Sequence, residues 1–124
     1  MVLVDTSTVI DIGRGKKTAA QTVERAAAGG APKVSAITLF ELASSPRGFD
    51  EKTRRMLEAF AIVELSSEAA VEAGAAYRTL RSAGQDISAL DSLIAGTALC
   101  TNEPLATANA RHFQRIPNLR VITY

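Results

Sequence analysis

Short β-favouring apolar runs alternate with helical segments along the whole chain, and this alternation restricts the fold more than any other feature. The runs are Val2 to Val4, Pro32 to Ile37, Ala61 to Leu65, Pro104 to Thr107 and Leu119 to Ile122. Val2 to Val4 is continuously apolar and ends in Asp5, as suits a strand buried on both faces, and Pro32 to Ile37 is bounded by Pro on one side and a hydroxyl on the other. Helical patterns fill the intervals: Thr6 to Gly13, Lys17 to Ala28 closed by Gly29 and Gly30, a helix opening at Thr38, Asp50 to Phe60, Ser66 to about Gly84, Ser88 to Cys100, and Asn109 to Arg115. Ser44-Ser45-Pro46-Arg47-Gly48 is the clearest loop. The alternation predicts an α/β fold in three layers, with a mostly parallel central sheet of about five strands and helices on both faces. At 124 residues, without repeats or linkers, a single domain spanning residues 1–124 is expected.

Composition excludes several classes. With 47% apolar and 22% charged residues the chain is neither disordered nor membrane-embedded, since no uninterrupted apolar run reaches ~18 residues. The start, Met1-Val2-Leu3-Val4-Asp5, has no basic leader region or small-residue cleavage site, so the cytoplasm is the expected compartment. Cys100 is the one cysteine and falls in a pattern of buried helix, where a thiol acts as a small hydrophobe. A net charge of +1 does not announce a nucleic-acid partner. Basic residues nevertheless gather at Arg14, Lys16 and Lys17, at Arg47, at Arg54 and Arg55, and at Arg111 and Arg115; a solvated helix face explains each as simply as a binding patch does.

In open α/β sheets functional residues collect at the carboxyl ends of the strands. Three acids are expected on that rim. Asp5 ends the first run, where an unpaired carboxylate is costly to bury. Glu41 lies three residues after Thr38, and Asp91 three after Ser88, both in the pattern of a capping box. Capping explains any one of them, and Asp5 could equally cap the helix that follows it. If all three converge, like charges repel and the cluster needs a cation among them. Oxygen ligands without a Cys and His set point to Mg²⁺ or Mn²⁺ rather than zinc. Such ions activate water and neutralise charge in phosphodiester hydrolysis.

Val2-Leu3-Val4-Asp5-Thr6-Ser7, Thr38-Leu39-Phe40-Glu41-Leu42, Leu90-Asp91-Ser92-Leu93-Ile94-Ala95, and Leu105-Ala106-Thr107-Ala108-Asn109 leading to His112-Phe113 resemble, in order and spacing, the PIN domain and within it the VapC-type toxins. The resemblance covers essentially the whole chain. It implies a magnesium- or manganese-dependent endoribonuclease, often a homodimer, held inactive by a small VapB-like antitoxin whose tail covers the active site. The family's first three acidic positions match Asp5, Glu41 and Asp91, which are therefore the expected catalytic and metal-holding residues. Its fourth is commonly Asp, and here His112 stands in its place, as a metal ligand, a substrate contact or the exposed face of a helix. Thr6, Thr107 and Asn109 are expected beside the substrate, although Asn109 could as well cap the next helix. Arg14, Arg111 and Arg115 are candidate phosphate contacts. RNA rather than DNA comes from the resemblance alone. Two rival readings are a catalytically silent RNA- or protein-binding module that keeps the acids as caps, and a receiver-like phosphorylated switch, for which no suitable Thr and Lys pairing is present.

Overall fold

A computed structural model describes all 124 residues. In chain order the elements are β1 (Leu3–Val4), α1 (Thr6–Gly13), α2 (Lys17–Ala27), β2 (Lys33–Ser35), α3 (Ala36–Ala43), α4 (Glu51–Leu57), β3 (Ala61–Val63), α5 (Ser67–Ser82), α6 (Ala89–Thr101), β4 (Leu105–Ala106), α7 (Ala110–Phe113) and β5 (Val121–Ile122). The five strands form one parallel sheet in the order β3-β2-β1-β4-β5. From β1 the chain first builds outward through β2 to β3, then returns to lay β4 and β5 on the other side. The order therefore reverses between β1 and β4, where the crevice of a doubly wound sheet opens at the carboxyl ends of the strands.

Alternation of side chains along β1 explains why that strand is apolar throughout. Leu3 packs on one face with Leu80, Ile94, Leu105, Phe113 and Ile116, under α5, α6 and α7. Val2 and Val4 pack on the other with Val9, Val23, Val34, Leu42 and Leu57, under α1 to α4. A strand buried on both faces has no polar side to show. The outermost strand β3 differs, with Ala61 and Ile62 exposed at the sheet's edge. No helix is long and apolar enough to cross a membrane.

Side-chain caps start α4, α5 and α6. Ser66 and Ser88 accept from the backbone N–H of Ala69 and Asp91, and Asp50 accepts from that of Thr53. One expectation is corrected. The second strand stops at Ser35, and Ala36 and Ile37 already belong to α3. Ser35 is the cap, accepting from the Thr38 N–H at 3.3 Å, so Glu41 lies a turn inside the helix and is not the partner of a capping box. Cys100 is also less enclosed than its apolar surroundings suggest. It is half-buried, and its Sγ lies 3.6 Å from Glu68 Oε2.

The Ala-rich face of α5 serves the interior. Ala69, Ala73 and Ala76 are buried, and α6 approaches so closely that a Cβ built on Gly96 would stand 2.5 Å from the Ala69 carbonyl oxygen and 2.7 Å from Ala73 Cβ. Backbone cannot yield as a flexible side chain can. Gly96→Ala is therefore expected to destabilise the fold by about 2–3 kcal/mol, the upper part of the range for overpacking, read as a lower midpoint in urea unfolding. An unchanged midpoint would show that α5 and α6 separate without cost.

Candidate active site

Asp5 follows β1 at the reversal of strand order and occupies the N-cap position of α1, yet its side chain caps nothing. It is 3% exposed. Its Oδ2 accepts hydrogen bonds from the Ser7 hydroxyl at 2.7 Å and the Thr107 hydroxyl at 2.8 Å, and no protein donor reaches Oδ1. The backbone contributes to the same joint, since Asp5 N–H donates to the Ala106 carbonyl at 2.9 Å. Ser7 and Thr107 in turn accept from the N–H groups of Ala108 and Asn109. The loop after β4 is thus clipped to the first turn of α1 through one carboxylate. Buried polar groups are cheap only when paired in this manner.

Glu41 projects from α3 toward the same rim. Its Oε1 accepts from the Thr6 hydroxyl at 2.6 Å, and Thr6 Oγ1 lies 2.9 Å from Thr38 Oγ1. Burial pushes the Glu41 carboxyl above the usual range, the Thr6 hydrogen bond opposes that, and the negative charges of Asp5 and Asp91 add to it. Asp91, in the first turn of α6, is likewise raised, first by burial and then by Asp5, against the opposing influence of Ser88 and His112. All three acids thus share one electrostatic neighbourhood. Charges that far apart in sequence meet because β1, α3 and α6 all present their relevant ends to the crevice.

The acids do not close on a single point. No three carboxylate, imidazole or thiol side chains lie close enough together to hold a cation among them. An open set of carboxylates suits Mg²⁺, which keeps several waters and takes only one or two protein carboxylates, better than it suits a closed zinc site. By type, carboxylate oxygens are the donors a hard divalent ion takes.

The other expected site residues divide. Thr107 is fully buried and committed to Asp5, and Thr6 is buried and committed to Glu41, so both lie behind the carboxylates rather than on the open rim. Asn109 precedes α7 and makes no side-chain cap bond, which removes the capping alternative for it. His112 is exposed on α7, near enough to Asp91 to lower it. Arg14 and Arg111 are exposed. Arg14 sits at the far end of α1 from Asp5, a helix of 8 residues spanning about 12 Å. Arg115 is placed differently from its expected role. Its Nη2 donates to the Asp86 carbonyl at 2.6 Å and its Nε to the His112 carbonyl at 3.2 Å, so the side-on edge of the guanidinium is engaged within the protein.

Four participants were not singled out by sequence reasoning. Thr38 is a hydroxyl inside an otherwise apolar run, and that context is the signal that could have found it, whereas Ser7 sits between the hydroxyls Thr6 and Thr8 and does not stand out. Asp11 and Tyr124 could not be paired from sequence. The Tyr124 hydroxyl lies 2.6 Å from Asp11 Oδ2 and 3.1 Å from Thr8 Oγ1, tying the segment after β5 to α1. Burial and the Asp11 contact push its phenol up to about 12.

Comparison with known proteins agrees with this geometry. The model of the PIN domain matches residues 2–119. Ribonuclease VapC1 of Methanocaldococcus jannaschii is 31% identical over 99% of this chain and 86% of its own length. Ribonuclease VapC19 of Mycobacterium tuberculosis is 34% identical over 97% of this chain and 98% of its own. Among solved structures, VapBC-1 from nontypeable Haemophilus influenzae superposes with a TM-score of 0.82 at 26% identity, covering 99% of this chain and 98% of that one. A five-stranded parallel sheet with an acidic crevice at its switch point, matched over nearly its full length by these relatives, places the chain in the PIN-domain family, among the VapC ribonucleases.

Proposed function

We propose that the protein is a divalent-metal-dependent endoribonuclease that hydrolyses RNA phosphodiester bonds as the toxin half of a toxin-antitoxin pair. The observation that carries this reading is that neither Asp5 nor Glu41 caps a helix, while Asp5, Glu41 and Asp91 repel one another in one crevice. A silent module that kept its acids as caps would have no use for that arrangement. The relatives support RNA as substrate through their name, ribonuclease, and the Haemophilus influenzae complex supports a small VapB-like antitoxin as partner.

In this reading Asp5, Glu41 and Asp91 hold Mg²⁺ or Mn²⁺, with His112 beside Asp91. The bound ion supplies activation of water and charge neutralisation at the attacked phosphate. Ser7 and Thr107 orient Asp5, and Thr6 orients Glu41. Asn109, Arg14 and Arg111 are the side chains we assign to RNA, the two arginines by charge-assisted bonds to phosphate oxygens. We also assign the protein to a homodimer, for which exposed Leu65 and Val71 around the start of α5 offer apolar surface.

Cleavage of a single-stranded RNA in Mg²⁺ or Mn²⁺ tests the assignment. Chelation is expected to stop it, and Asp5→Asn to slow it about 10²-fold or more, the scale seen when one preorganised charge-stabilising group is lost. Equal rates in wild type and Asp5→Asn would mean that the activity belongs to a contaminant.

The raised carboxyls give a second outcome. Because Glu41 and Asp91 bind protons more tightly folded than unfolded, the metal-free protein loses stability as pH rises through the window above their ordinary values. At neutral pH, Glu41→Gln and Asp91→Asn are therefore expected to melt higher than metal-free wild type, and the gap should narrow as pH falls below the ordinary carboxylate range. Mn²⁺ should raise the melting temperature of wild type and not of Asp91→Asn. A variant that melts lower at pH 7 would count against the repulsion.

A further inference from the structure

Thr38 is a fully buried threonine in the first turn of α3, with its side chain sealed from any substrate. A threonine hydroxyl inside a helix ordinarily returns its proton to a carbonyl one turn back. Thr97 and Thr101 of α6 do so, at 2.9 Å to the carbonyls of Leu93 and Thr97. Thr38 does not. Its one side-chain hydrogen-bond contact is Thr6 Oγ1, at 2.9 Å.

Proton counting gives that contact a direction. An ionised carboxylate can only accept, so the single proton of Thr6 goes to Glu41 Oε1 at 2.6 Å. The Thr6 oxygen is then an acceptor toward Thr38, and the proton between the two hydroxyls must come from Thr38. The Thr38 N–H is meanwhile fixed by Ser35 at 3.3 Å. A one-way chain runs from Thr38 through Thr6 to Glu41, and each donor in such a chain polarises the next.

We propose that Thr38 is a positioning residue for the reaction: through Thr6 it fixes the carboxylate of Glu41 with Oε1 engaged and Oε2 free of protein donors, ready for the cation. This rests on the nuclease reading, in which Glu41 serves the chemistry. It adds that a residue with no access to substrate or cation sets the rate.

Thr38→Val keeps the shape and removes the hydroxyl, and Thr38→Ser keeps the hydroxyl and removes the methyl. Thr38→Val is expected to lower kcat roughly three- to tenfold, the worth of one hydrogen bond, with KM for RNA unchanged and Mn²⁺ affinity of the RNA-free protein, measured by titration calorimetry, reduced by a similar factor. Thr38→Ser should stay near wild type in both readouts. In a Thr6→Val background, where the chain is already cut, Thr38→Val should have no further effect. The proposal is overturned if Thr38→Val matches wild type, if the serine variant falls as far as the valine variant, if the loss appears in KM alone, or if the two changes act independently in the double variant. Should valine disturb folding, the serine variant decides alone: wild-type kcat and Mn²⁺ affinity support the chain, and a folded serine variant with neither overturns it. Failure of the nuclease reading shows itself separately, as a Glu41→Gln variant no slower than wild type.

Discussion

The Asp5 carboxylate, sunk at the carboxyl end of the central strand, is the constraint from which the rest of the site follows. A charge with 3% exposure between the inner strands is tolerable only with donors of its own. Those donors come from two segments about a hundred residues apart, Ser7 in α1 and Thr107 after β4. Satisfying one carboxylate therefore fixes how the second half of the chain returns across the first. The backbone bond from Asp5 to Ala106 and the parallel pairing of β1 with β4 point the same way, so the sheet and the side chain specify one register.

Once Asp5 is fixed, Glu41 and Asp91 are brought toward it at a cost. Burial and mutual repulsion raise both carboxyls, and the metal-free fold carries that penalty at neutral pH. Hydroxyls offset part of it without neutralising it. A guanidinium or ammonium in the crevice would relieve the repulsion more fully and would also compete with a cation for the same oxygens. The one strong cation-carboxylate pair inside the molecule, Lys33 with Glu103 at 3.0 Å, lies instead at the amino-terminal end of the strands. Structural charge pairing and the acidic crevice are thereby kept at opposite edges of the sheet.

Much of this was legible before the coordinates. Period and length gave the strand and helix alternation because β1 and β4 are buried on both faces and can carry only apolar residues. Asp5 stands out for the complementary reason, as a charge where burial is expected, and Glu41 and Asp91 through their spacing from Thr38 and Ser88 and through the family resemblance. The cap of α3 was not legible. Ser35 and Thr38 can each cap a helix, and the Glu three residues after Thr38 makes Thr38 the better local match. Pairing of Ser35 with Val63 in the sheet and the burial of Thr38 against Thr6 decide it. The contacts of Arg115 are not legible for a similar reason, since one of its two partners is a backbone carbonyl 29 residues away, and carbonyls leave no mark in a sequence. Arrangements that depend on one chain segment meeting another's backbone have no local pattern to read.

His112 takes its meaning from the same electrostatics. An aspartate at that place would add a fourth negative charge beside an Asp91 already raised by its neighbours. The imidazole instead lowers Asp91, so it eases the cluster where the usual residue would strain it further. His112 thus sits beside Asp91 without adding to the negative charge that Asp5 and Glu41 already bring to it. An acid lost from a charge cluster is usually read as lost function. Here the three acids are each tied to a different element of the fold, and the imidazole beside Asp91 makes their company less costly.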